Sequence, residues 1–100
     1  MDAMVFKLES QIDLDPLVQI LAKCGAKRVF LFGSVARGEA RPGPDVELAC
    51  EGLPPGRFFE ALGKLLLCTG KDVDLVDLDK AAAPLRKRLE KEGVLLYEAT

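Results

Sequence analysis

No histidine and no asparagine occur in the 100 residues. Without histidine the chain has lost the commonest general base and every Ser-His or Cys-His nucleophile pair. Its chemistry is left to carboxylates, lysine or arginine, backbone amides and metal. Cysteine is scarce: Cys24, Cys50 and Cys68 are odd in number and widely spaced. Neither a disulfide framework nor a Cys/His zinc site is expected, and all three read as buried small hydrophobes. No apolar run approaches the ~18 residues of a membrane span, and the opening "MDAMVFKLES" has neither the basic start nor the apolar centre of a signal peptide. An excess of positive charge is also missing. At a net charge of −2 there is no uniform positive field to hold a polyanion by counterion release, so autonomous nucleic-acid binding is not expected. The expected compartment is the cytoplasm.

What is present is a globular composition, 49% hydrophobic and 30% charged. One domain over residues 1–100 is expected, burying roughly two thirds of the surface of its unfolded chain. "DPLVQILAKCGA" predicts a helix with Asp15 as N-cap and Pro16 in the first turn, ended by Gly25. "KRVFLF" (27–32) is a β-rich apolar run halted by Gly33, and "DVELAC" (45–50) alternates Asp45, Glu47 and Ala49 with Val46, Leu48 and Cys50. A second helix follows in "RFFEALGKLLLCTG", its apolar face expected from Phe58, Phe59, Leu62, Leu65 and Leu66. "DVDLVDL" (72–78) predicts a third strand, "APLRKRLEKEG" a short helix with Leu85 and Leu89 inward, and "VLLYEA" a terminal strand or tail. The fold class expected is α/β (α+β), a small mixed β-sheet with helices packed on one face and the other face left to carry a site.

Asp45 and Glu47 lie two apart on a predicted strand, so they share a face with Cα atoms about 7 Å apart. Two like charges so placed on a half-buried surface invite a bound cation, although a plain surface strand alternates in the same way. Gly33-Ser34 at the end of the preceding strand is either an ordinary turn or a phosphate cradle of close backbone, hydroxyl and amides. If it is a cradle, a phosphate site stands beside a metal pair, as triphosphate chemistry requires. The third strand supplies a further acid. Asp74, flanked by Val73 and Leu75, is favoured over Asp72 and Asp77 at the strand ends, because a charge in mid-strand is costly without a role. Arg37 in the turn after Ser34 and Arg41 further along the loop are either solvated or able to clamp a phosphate oxygen. The "RKRLEK" run reads as a solvated helix face, Tyr97 as a packing residue and Lys64 as the outer face of its helix.

Gly33-Ser34, ten intervening residues and Asp45-x-Glu47 resemble the GS-x10-D-x-D signature of the minimal nucleotidyltransferases, small relatives of the DNA polymerase beta superfamily. "GSVARGEARP" is similar to that family's GSxARGxAR pattern, and "VDLVDL" to its third-aspartate strand. The resemblance spans about residues 15 to 97. It implies the polymerase beta palm-like fold, with Gly33 and Ser34 binding the nucleotide triphosphate and Asp45, Glu47 and Asp74 holding two magnesium ions. It also implies in-line transfer of a nucleoside monophosphate with release of pyrophosphate, Asp74 activating the acceptor hydroxyl. The sequence departs from the pattern twice. Glu47 stands where aspartate is usual, carrying its carboxylate about 1.5 Å farther out, and Pro44 stands where serine is common.

So small a core leaves no evident place for a large acceptor, which must come from another chain. Members of the family commonly pair with a helical HEPN protein, often an RNase toxin, and act as antitoxins by transferring AMP to it. The expected activity is therefore transfer of AMP from ATP, with magnesium, to a hydroxyl of such a partner. Two alternatives stand beside it: a catalytically weakened antitoxin that neutralises by binding, and a small-molecule nucleotidyltransferase of the antibiotic-modifying kind.

Overall fold

The computed structural model describes residues 13–32 and 46–99. In chain order these form helix α1 (Asp15–Lys23), strand β1 (Arg28–Phe32), strand β2 (Val46–Glu51), helix α2 (Phe58–Thr69) and strand β3 (Val73–Asp77). A 3-10 turn (Leu78–Lys80), helix α3 (Ala83–Glu92) and strand β4 (Val94–Glu98) complete them. The order is the one expected, and the tail is a paired strand. The sheet runs β3-β2-β1-β4. β1 is antiparallel to both β2 and β4, and β2 is parallel to β3, so the sheet is mixed, with α2 as the crossover that parallel neighbours need.

Alternation along the strands decides which face each side chain meets. Val29, Leu31, Val46, Leu48, Cys50, Val73 and Leu75 share one face and pack with Leu17 and Leu21 of α1 and Ala61 and Leu65 of α2. Leu17, Leu21, Leu31, Leu48 and Leu65 are fully buried, each contributing about 1.5–3 kcal/mol relative to an exposed position. Tyr97 packs against the same cluster, as a packing residue should. Gly70, at a φ of 66°, closes α2 by returning its amide to the Leu66 carbonyl in the left-handed conformation that glycine adopts without strain.

The expectation of helices on one face holds for α1 and α2 and needs correction for α3. Leu89 of α3 and Leu78 pack with Phe30 and Ala49, residues that alternate with those of the main core and so lie on the opposite face. A sheet covered on one side only would leave Phe30 in water, and α3 supplies the missing cover over part of that face. Smaller corrections follow from how far each helix reaches the sheet. Phe59 and Leu66 are exposed, since α2 turns its Ala61–Leu65 stripe inward. Leu85 is likewise exposed, and Cys68 is exposed where Cys24 and Cys50 are buried. The N-cap of α1 is Leu14, and it is Asp13 that accepts the Asp15 amide, at 3.1 Å.

Candidate active site

The face away from the main core is organised in rows, because the registers of β1, β2 and β3 bring like-facing residues abreast. Phe32 is opposite Glu47 and Glu47 is opposite Asp74. Behind them Phe30 is opposite Ala49 and Ala49 opposite Val76, and behind these Arg28 is opposite Glu51. The middle row is apolar and lies under α3, with Phe32 and Val76 packed against its buried cluster. Apolar cover therefore separates two charged ends of one surface.

At the first end Glu47 and Asp74 sit on strands about 4.8 Å apart and project from the same side. Asp74 is exposed and Glu47 half-buried. Among the described residues neither carboxylate has a hydrogen bond or ion pair, whereas most of the other acids are engaged. Asp77 accepts the Asp79 amide at 3.0 Å and Asp79 accepts the Gly52 amide at 2.7 Å. Glu60 bonds Arg57 and Lys64, Glu92 pairs with Arg88, and Asp72 also has a partner. Asp77, weighed against Asp74 as the third acid, is thus occupied in capping the 3-10 turn. Two like charges held abreast without a compensating cation repel one another, and hard oxygen donors at that spacing suit a hard divalent ion.

The structure brings Glu47 and Asp74 together. Gly33, Ser34, Arg37, Arg41, Pro44 and Asp45 lie outside the described residues. Among those described no group of three or more metal-ligating side chains occurs.

The other end of the face is closed by ion pairs. Glu51 accepts from Arg28 Nε at 2.6 Å and from Arg86. Arg86 also donates to the Leu78 carbonyl at 2.9 Å and lies 3.4 Å from Glu90. The Arg28 hydrogen bond, against the cost of burial, holds the Glu51 carboxyl below the usual carboxylate range, with the charges of both guanidinium groups adding to it. The helical run that reads as solvated therefore sends one residue inward. Arg86 precedes Leu89 by three, and that spacing to a buried leucine was the available signal.

A mixed sheet backed by two helices, with two acids on adjoining strands that lack side-chain partners among the described residues, is an arrangement a nucleotidyltransferase domain can use. The family model described as polymerase beta, nucleotidyltransferase matches residues 16–100, and the chain belongs to that family. Among solved structures, a candidate minimal nucleotidyltransferase is similar at 32% identity and a TM-score of 0.67, over 96% of this chain and 97% of that one. A toxin–antitoxin structure with AMP-PNP is similar at 25% identity and a TM-score of 0.74, over 89% of this chain and 76% of its own. A tri-AMPylated Shewanella oneidensis HEPN toxin in complex with its MNT antitoxin gives 23% identity and a TM-score of 0.66, over 94% and 73%, a likeness of fold. The comparison with curated proteins finds no match. No described helix is long and apolar enough to cross a membrane.

Proposed function

We propose that this chain is a minimal nucleotidyltransferase that moves AMP from ATP onto a hydroxyl of a HEPN-type helical toxin and thereby acts as its antitoxin in the cytoplasm. The observation that carries the reading is the Glu47–Asp74 pair, abreast on one face and without a protein partner among the described residues. Family membership supplies the reaction class. The AMP-PNP and AMPylated-toxin relatives support the nucleotide and the acceptor.

Glu47 and Asp74 are oxygen donors whose charges need a cation, which fits magnesium. Together with Asp45, two residues before Glu47, they would hold it, and magnesium when bound offsets the charge of the phosphates. Gly33 and Ser34 would seat the triphosphate and Arg37 would pair with one of its oxygens. Asp74 would accept the proton of the attacking hydroxyl as its oxygen bonds the α-phosphorus and pyrophosphate departs. One domain carries all of these residues.

The test is incubation with labelled ATP, magnesium and the partner toxin. Label on the toxin that disappears in Asp45→Ala and Asp74→Ala is the expected result. Glu47 favours one rival, because a carboxylate reaching about 1.5 Å farther suits octahedral magnesium poorly. Inhibition of the toxin without any label would establish that rival, an antitoxin that acts by binding alone.

A further inference from the structure

We propose that Phe32 is a positioning residue for the acid pair: it walls the β1 side of Glu47 and holds that carboxylate beside Asp74. The inference rests on the proposed role of Glu47 and Asp74 and adds a residue to it.

Among the described residues Glu47 has three neighbouring directions along the sheet. Toward β3 it meets Asp74, a like charge abreast of it. Toward the middle row it meets Ala49, Phe30 and Leu89, all buried and apolar, where a carboxylate would lose its hydration without compensation. Toward β1 it meets Phe32, directly opposite, with Cβ atoms about 4.5–5.5 Å apart. Repulsion from Asp74 drives Glu47 along this last route. Phe32 closes it, and its ring is packed against the Phe30–Ala49–Leu78–Leu89 cluster, so it does not yield freely. Glutamate has one more rotatable bond than aspartate and so more freedom to swing away. Its long reach makes the wall matter more here than beside a shorter acid.

The test is manganese binding, read by calorimetry in the presence of AMP-PNP, since manganese takes the same oxygen donors. Phe32→Ala should weaken manganese binding about tenfold, at the lower end of what loss of a ligand-supporting contact costs. Phe32→Leu should recover most of the loss. In a Glu47→Asp background, Phe32→Ala should change affinity no more than about twofold, because a shorter carboxylate needs less restraint; the shortfall is the coupling that a double-mutant cycle isolates. Should Phe32→Ala not fold, Phe32→Val serves in the same cycle, keeping an apolar anchor while shortening the wall. Equal losses in both backgrounds, or none in either, overturn the proposal alone. Glu47→Ala that leaves manganese affinity unchanged overturns it together with the functional reading beneath it.

Discussion

Glu47 and Glu51 occupy the same strand and the same face, four residues apart, and meet opposite fates. Glu51 is neutralised by Arg28 and Arg86 and ties α3 to the sheet. Glu47 is left beside another acid with no counter-charge among the described residues. A domain that used all its carboxylates for stability would have placed cations at both ends. Leaving one end uncompensated costs stability, and the cost makes sense if a ligand supplies the missing charge. The salt-linked end fixes the sheet and the bare end is available for chemistry.

Exchanging the roles of the two ends should fail in different ways. Asp74→Asn at the bare end should reduce AMP transfer roughly 10³-fold, the scale of a lost group that offsets several kcal/mol of transition-state charge, and leave the urea midpoint unchanged or higher. A large fall in the midpoint would place Asp74 among the structural acids. Gly93 joins α3 to β4 just before Val94, the partner of Leu31, and a Cβ there would come within 2.6 Å of the Leu89 carbonyl and 3.4 Å of Phe30. Gly93→Ala should destabilise by about 1–3 kcal/mol through this overpacking of the middle row under α3, measured by urea unfolding.

Glu51→Ala leaves both guanidinium groups without their main acceptor and should cost about 2 kcal/mol, the range of charge-assisted hydrogen bonds. The same contact sets a pH dependence. Because the folded-state pKa of Glu51 is depressed by Arg28, its contribution is complete above the ordinary glutamate value of about 4.3. It is lost as pH falls through the lower folded value. Native stability should therefore drop as pH is lowered from about 4.3, and Glu51→Ala should flatten that limb of the curve. An unaltered acid limb would show that the pairing does not persist in solution.

One end of this division was legible in the sequence, and the Glu51 ion pairs at the other were not. Strand alternation placed Glu47 with Ala49 and Asp74 with Val76 on shared faces, because a period of two is fixed by backbone geometry. The cost of a charge in mid-strand drew Asp74 out of three aspartates, and in the structure Asp77 is taken up by a turn. What could not be read was which strands adjoin. The pairing of Glu47 with Phe32 depends on the β1–β2 register and that with Asp74 on the parallel crossover, and neither is encoded locally. The side taken by α3 was hidden for a related reason. Its single buried leucine, Leu89, makes a weak stripe, and its inward orientation is set by ion pairs to residues far away in the chain. Phe59 and Leu66 show the converse, where apolar spacing overstated the width of the buried face.

The smallest expected effect bears most directly on why Glu47 is left uncompensated. Glu47→Gln keeps the size of the side chain and removes one of the two facing charges. In metal-free protein it should raise stability by about 0.5 kcal/mol, the scale of one interaction between largely solvated charges. Adding magnesium with ATP should reverse the order, since a ligand stabilises the folded state in proportion to its affinity for it, and the glutamate form binds it better. A crossing of the two thermal stabilities on adding both would show that the bare end is strained without its cation and relieved with it. If Glu47→Gln instead lowers stability in the metal-free protein, Glu47 has a protein partner in solution, and the contrast with Glu51 disappears.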